Sequence, residues 1–103
     1  MPSITLITPT FNSEKTISTT IKSIKTQNFL DVELIVVDNC SQDKTLDIVK
    51  KLYLKNIIIV SENDNGVYSA INKGLKIASG DIIGVLNSDD FFIENNVLET
   101  VSS

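Results

Sequence analysis

The chain has 103 residues with a 42% apolar and 21% charged composition and a formal net charge of −4, which suits one globular domain and excludes collagen-like, coiled-coil and disordered chains. All basic charge sits on lysine; histidine, arginine and tryptophan are absent and Cys40 is the one cysteine, so histidine triads, histidine-ligated zinc sites, internal disulfides and four-cysteine zinc sites are excluded. Residues 77–103 carry no base and five acids, Asp81, Asp89, Asp90, Glu94 and Glu99, an acidic end that argues against nucleic-acid binding.

Read in chain order, short β-rich runs alternate with amphipathic stretches. ITLIT (residues 4–8) is the first strand and ends at Pro9. Residues 14–27 place Ile17, Ile21 and Ile24 at i, i+4, i+7, with Asn12 or Ser13 as the helix cap. VELIVVD (residues 32–38) is the second strand, and residues 43–54 form a helix with Leu46, Val49, Leu52 and Tyr53 on one side, capped from Ser41 or Asp43. NIIIVSE (residues 56–62) is the third strand. Residues 67–78 then place Val67, Ala70, Ile71, Leu75 and Ala78 on one side of a helix that Gly74 weakens and Gly80 stops. DIIGVLN (residues 81–87) is the fourth strand, and NNVLETVSS begins a last helix.

The strand runs are nearly continuous in apolar residues, the mark of parallel strands covered on both faces. The expected architecture is therefore α/β: an open, parallel, Rossmann-like sheet in order 3-2-1-4 with helices on both faces. The opening MPSITLITP lacks a basic leader and the apolar runs are too short to span a bilayer. A reducing, cytoplasmic setting is expected, and contact with the inner face of a membrane stays compatible with it.

Ligands of such sheets bind beyond the carboxyl ends of the strands, where strand order reverses. Here that point lies between strands one and four, between TPTFN (residues 8–12) and NSDD (residues 87–90), with Asp38 next door. Asp38 suits either a sugar or base contact or a turn within DNCSQD. The adjacent acids Asp89 and Asp90 repel unless a cation bridges them, and hard Mg²⁺ or Mn²⁺ prefers carboxylate oxygen; a solvated loop or a helix cap is the other reading. Asp64, Asn72 and Lys73, in NDNGVYSAINKG, can reach a ligand or be ordinary cap and surface residues. Cys40 reads as a small loop residue, with no base nearby to activate a thiol. Neither GxGxxG nor the Walker pattern occurs, which removes the main support for dinucleotide oxidoreductases and NTPases.

In order and spacing, SITLITPTFN, ELIVVDNCSQDKT and DNGVYSAINKGLKIASGDIIGVLNSDD resemble the N-terminal half of a family 2 glycosyltransferase of the GT-A fold. The resemblance covers essentially the whole chain. It implies a nucleotide-sugar donor, most often a UDP-sugar, and a saccharide or lipid-linked acceptor in cell-surface polysaccharide synthesis. By similarity Thr8, Pro9, Thr10 and Asn12 form the first nucleotide loop, and Asp38 contacts the base. Asp64, Asn72 and Lys73 then lie beside the phosphates and sugar. NSDD matches a DXD-like motif in which Asp89 and Asp90 hold Mn²⁺ or Mg²⁺, with Asn87 and Ser88 alongside. Asn87 stands where many relatives carry an acid, and Ser69 where relatives often carry Asp.

Family members continue well past this length with the acceptor site and the catalytic base, so that base is expected beyond Ser103. The chain is then expected to be a donor-binding half, inactive alone, with apolar surface exposed beside strand four that favours a homo-oligomer. Two other classes compete. A noncatalytic nucleotide-binding module would share every motif and lack transfer. A phosphoacceptor receiver domain would need an acid pair after strand one and an acceptor Asp after strand three, where this chain has TPTFN and SEN.

Overall fold

The structure, a computed structural model, describes residues 4–26, 32–52, 56–63 and 67–87. Seven elements follow in order: β1 (Ile4–Thr10), α1 (Ile17–Lys25), β2 (Val32–Asp38), α2 (Thr45–Leu52), β3 (Ile57–Ser61), α3 (Val67–Ile77) and β4 (Ile82–Val85). The strands are all parallel and lie in the order β3-β2-β1-β4, as the alternation predicts. The expected last helix lies outside the described residues.

Strand alternation divides the core into two layers. Ile4, Leu6, Val32, Leu34 and Val36 pack with Ile17, Ile21 and Ile24 of α1 and with Val49 of α2. Ile7, Ile35 and Val37 turn to the other face and meet Ala70 of α3, with Ala78 beside them. Each fully buried isoleucine contributes about 1.5–3 kcal/mol relative to exposure. The three isoleucines of α1, at i, i+4 and i+7, therefore explain why a short helix holds firmly to the sheet.

Helices lie on both faces, as expected, and among the described residues they cover the centre of the sheet more fully than its edges. Among the described residues one helix, α3, lies on the second face, and it packs over β1 and β2. Ile83 and Val85 of β4 remain 42% and 46% exposed, and Ile58 of β3 is exposed as well. The continuous apolar runs thus mark two buried central strands and two half-covered edges. Apolar surface beside the fourth strand is in place, as the sequence suggests.

Three local expectations are corrected. β1 does not stop at Pro9 but runs to Thr10. Successive residues of a parallel strand bond alternately to either side. Thr10 O accepts from Asn39 N on the β2 side and Ile7 O accepts from Leu86 N on the β4 side, so Pro9 faces β4, whose pairing ends at Val85. The β1–β4 ladder stops at the point where Pro9 would have to donate, while pairing with β2 continues to Thr10. α1 begins at Ile17 with Thr16 as its cap residue, without a side-chain cap bond. Ser13 instead accepts from Thr16 N and Ile17 N through its carbonyl, and its hydroxyl lies against the Phe11 backbone. On α3, Leu75 is exposed and Gly74 is buried. A Cβ on Gly74 would stand 2.7 Å from Ile7 Cγ2, so this glycine lets the helix approach the sheet.

Gly80 has a similar duty at the opposite end of the sheet from the strand carboxyl ends. Its N–H donates to Thr5 Oγ1 at 2.8 Å, and Thr5 Oγ1 donates to Glu33 Oε1 at 3.0 Å. Ser79 donates to the same carboxylate through its N–H and its hydroxyl, each at 3.1 Å. A Cβ on Gly80 would lie 2.6 Å from Thr5 Oγ1 and 2.7 Å from Thr5 N. Gly80→Ala should therefore lower stability by about 1–3 kcal/mol through overpacking against backbone. An unchanged urea midpoint would show that residues 78–81 do not pack on β1 in this way.

Candidate functional site

The carboxyl ends of three strands bring polar side chains together. Thr10 is in register with Asp38, and Asp38 with Ser61. Residues in register share one side of the pleat, so all three project to the α1 and α2 face at one end of the sheet. Asp38 is fully buried. Its Oδ1 accepts from Thr10 Oγ1 at 2.5 Å and from Ser41 Oγ at 2.6 Å. Its Oδ2 accepts from Ser41 N at 2.8 Å and from Ser61 Oγ at 3.0 Å. A carboxylate has about four lone-pair sites, and these four donors match them.

The loops after β1 and β2 are joined across this carboxylate. Asn12 N donates to Ser41 Oγ at 2.8 Å, and Asn12 Oδ1 accepts from Gln42 N at 2.9 Å. Ser13 N donates to Thr45 Oγ1 at 2.7 Å and Glu14 N to Asp43 Oδ2 at 3.1 Å. Asn12 and Cys40 both adopt positive φ, 47° and 51°, a region asparagine enters more readily than cysteine. The turn at Cys40 brings Ser41 back onto Asp38. Cys40 itself is exposed and serves the turn, in line with the reading of it as a loop residue.

Asp43 supplies the cap that Ser41, committed to Asp38, does not. Its Oδ1 accepts from Thr45 N at 2.9 Å and from the Thr45 hydroxyl. Burial pushes the Asp43 carboxyl up, but the hydrogen bonds from the Thr45 hydroxyl, Thr45 N and Glu14 N outweigh it, and its pKa lies below the ordinary aspartate value.

The other candidates are placed as follows. Thr8 is buried, and its hydroxyl has no hydrogen-bond partner among the described residues. Pro9 is half-buried and Asn12 exposed. Asn72 and Lys73 lie on α3, on the opposite face of the sheet from Thr10 and Asp38. Asn72 is exposed. Lys73, with its side chain 24% exposed, bonds Glu62 Oε1 at 2.9 Å and donates to Asn63 O at 3.4 Å. That pairing ties α3 to the loop after β3, whose Glu62 N donates to Asp38 O. Asn87 is exposed just past β4. Asp64, Ser88, Asp89 and Asp90 lie outside the described residues, and no cluster of three or more metal-ligating side chains occurs among the described ones.

Two features escape the sequence reading. Ser41 and Ser61 complete the shell of Asp38, yet each is an ordinary turn or strand-end residue in the sequence. Phe11, 60% exposed, is an aromatic ring beside the polar loop of residues 10–14. A large apolar ring inside TPTFN was the signal for it.

The family description "Glycosyl transferase family 2" matches residues 5–102. The chain is 34% identical over 98 residues to the UDP-Glc:alpha-D-GlcNAc-diphosphoundecaprenol beta-1,3-glucosyltransferase WfaP of Escherichia coli, covering 94% of this chain and 39% of that protein. It superposes on S. aureus TarS 1-349 in complex with UDP-GlcNAc with a TM-score of 0.90 and 35% identity, over 97% of this chain and 30% of that one. The mannosyltransferase PcManGT of Pyrobaculum calidifontis, in complex with GDP-Man and Mn²⁺, gives a TM-score of 0.87 at 27% identity, over 94% of this chain and 30% of that one. The chain spans about two-fifths of the length of several curated relatives it matches.

Two outcomes follow from the geometry. Asp38→Ala leaves the buried Thr10 hydroxyl without its acceptor and frees Ser41 and Ser61, so the ligand-free chain should lose about 1–3 kcal/mol; an unchanged denaturation midpoint would show that the carboxylate does not hold the loops. The Asp43 contribution carries an acid limb. Its folded pKa is depressed, so its stabilisation is full above about pH 4 and is lost as pH falls through the lowered value. Asp43→Asn, which keeps an oxygen at the cap, should flatten the fall of melting temperature on the acid side, and an identical pH series in both proteins would remove Asp43 from the account.

Proposed function

The chain belongs to glycosyl transferase family 2, and from that premise we propose that it binds a UDP-sugar at the carboxyl ends of β1, β2 and β4 and serves in transfer of the sugar to a saccharide or lipid-linked acceptor during synthesis of a cell-surface polymer. The observation that carries the reading is the Asp38 carboxylate at the end of β2, bonded to Thr10, after which the exposed Phe11 begins the loop. A carboxyl acceptor and an aromatic ring on the adjoining loop suit a nucleobase, which offers N–H donors at its edge and a flat surface for stacking. The superposition on a UDP-GlcNAc complex supports the same donor.

In this reading Asp38 accepts from the base, with Thr8, Pro9, Thr10 and Asn12 forming the wall of the nucleotide loop. Asp64, Asn72 and Lys73 lie toward the diphosphate and sugar. Lys73 then exchanges Glu62 and the Asn63 carbonyl for a phosphate oxygen. Asn87, Ser88, Asp89 and Asp90 offer amide, hydroxyl and carboxylate oxygens, a donor set that fits hard Mn²⁺ or Mg²⁺. Asp89 and Asp90 would hold the ion, which offsets charge on the departing nucleoside diphosphate when bound. No described helix is long and apolar enough to cross a membrane, and a lipid-linked acceptor would be met at the membrane surface.

A thermal-shift series with UDP, GDP and ADP, with and without Mn²⁺, tests the reading. A ligand at 100 times its Kd stabilises by about 2.7 kcal/mol. UDP with Mn²⁺ should give the largest rise. Asp89→Asn combined with Asp90→Asn should abolish the Mn²⁺-dependent part while leaving the ligand-free melting temperature unchanged or slightly higher, since two adjacent like charges are removed. Absence of a shift with every nucleoside diphosphate would overturn the donor assignment; a large loss of ligand-free stability in the double variant would make the two acids structural.

A further inference from the structure

We propose that Ser61 selects the base: its hydroxyl gives up Asp38 Oδ2 to the ring N–H of an incoming uracil and turns to donate to the carbonyl beside that N–H. The inference rests on the reading of Asp38 as the base acceptor.

The four donors around Asp38 are not equivalent. Thr10 lies on a central strand and is buried, and its hydroxyl is 2.5 Å from Oδ1. Ser41 N is main chain and cannot rotate away. Ser41 Oγ is held on its far side by the N–H of Asn12 at 2.8 Å, so turning it would strip that donor too. Ser61 differs on every count. It is the last residue of the edge strand β3, it is exposed, and its bond of 3.0 Å is the longest of the four. Its hydroxyl makes no second contact among the described residues.

A ligand therefore reaches this buried carboxylate by taking the place of the Ser61 hydroxyl. Oδ1 stays committed to Thr10 and Ser41, so the site offers one acceptor, at Oδ2, with one displaced donor next to it. The complementary edge is a single N–H with a carbonyl at its side. Uracil carries a ring N–H between two carbonyls. Its N–H replaces the Ser61 bond to Oδ2, and a carbonyl gives the displaced hydroxyl a new acceptor, so no hydrogen bond is lost in the exchange. Cytosine offers an amino group beside a ring nitrogen in place of a ring N–H beside a carbonyl, and the second amino hydrogen then needs an acceptor that Oδ1, already committed, does not give. Guanine pairs its ring N–H with an amino group that needs a second acceptor, and Oδ1 is closed to it.

Calorimetry of UDP, 2-thio-UDP and 4-thio-UDP on the unaltered chain and on Ser61→Ala, with Mn²⁺ present, reads this exchange. A thiocarbonyl keeps the ring N–H and weakens the acceptor beside it. Ser61→Ala removes both the bond that the ligand displaces and the bond that replaces it, so the readout is the penalty of the thio substitution in each protein rather than the affinity for UDP itself. One of the two thio analogues should bind the unaltered chain about three- to tenfold more weakly than UDP, the worth of one neutral hydrogen bond, and should lose little on Ser61→Ala, where that bond is already gone. Equal binding of all three nucleotides by the unaltered chain overturns the proposal even if the variant fails to fold. The same thio penalty in both proteins also overturns it and leaves the donor reading standing, whereas no UDP binding by the unaltered chain defeats both.

Discussion

The end of the sheet is organised around one buried carboxylate. A charge taken from water without partners is among the costliest features a small domain can carry. Asp38 is tolerable because Thr10, Ser41 and Ser61 converge on it from three separate segments. Thr10 and Ser61 are delivered by strand register alone. Ser41 is delivered by the left-handed turn at Cys40, and through Asn12 and Gln42 it draws the loop after β1 onto the loop after β2. The carboxylate thus turns three chain ends into one surface, and the cost of its burial makes alternative arrangements of these loops unfavourable.

The rest of the fold supplies the rigidity this requires. Isoleucines of α1 lock the face from which Asp38 projects. On the other face α3 descends onto Ile7 because Gly74 has no side chain. At the far end of the sheet Glu33 gathers Thr5 and Ser79, and Thr5 in turn takes the N–H of Gly80, fixing the connection into β4. Small residues placed at two close approaches do here what bulky side chains do in the core.

Much of this was legible in the sequence, for reasons that can be named. Strand runs that end in polar residues, and isoleucines at helical spacing, are local signals, and they give the order of elements and the sheet. VELIVVD ends an apolar strand in an acid, which is enough to mark Asp38. The shell around it is not local. Ser61 and Thr10 lie 23 and 28 residues from Asp38, and only register brings them there. The same limit explains Gly74, where helix propensity reads a weakness and the tertiary contact with Ile7 decides its use. It also explains Pro9, which ends pairing with β4, the side its nitrogen faces, and leaves pairing with β2 to run on to Thr10.

Magnitudes divide the proposed donor site into a fixed part and a yielding part. The bonds of Thr10 and Ser41 to the buried carboxylate are of the charge-assisted kind, worth about 1.5–3 kcal/mol each, and breaking one strands a buried group. They do not open for a ligand. The Lys73–Glu62 pair has side chains 24% and 56% exposed, and exposed ion pairs contribute about 0–1 kcal/mol. A diphosphate, which as a group carries more negative charge than one carboxylate, can therefore take Lys73 at little cost to the fold. The base end of the site is preorganised by burial, while the phosphate end is held by contacts weak enough to exchange. That division follows the chemistry of such a donor: the base must be recognised by fixed geometry, and the diphosphate must be bound by charges free to move with it as it leaves.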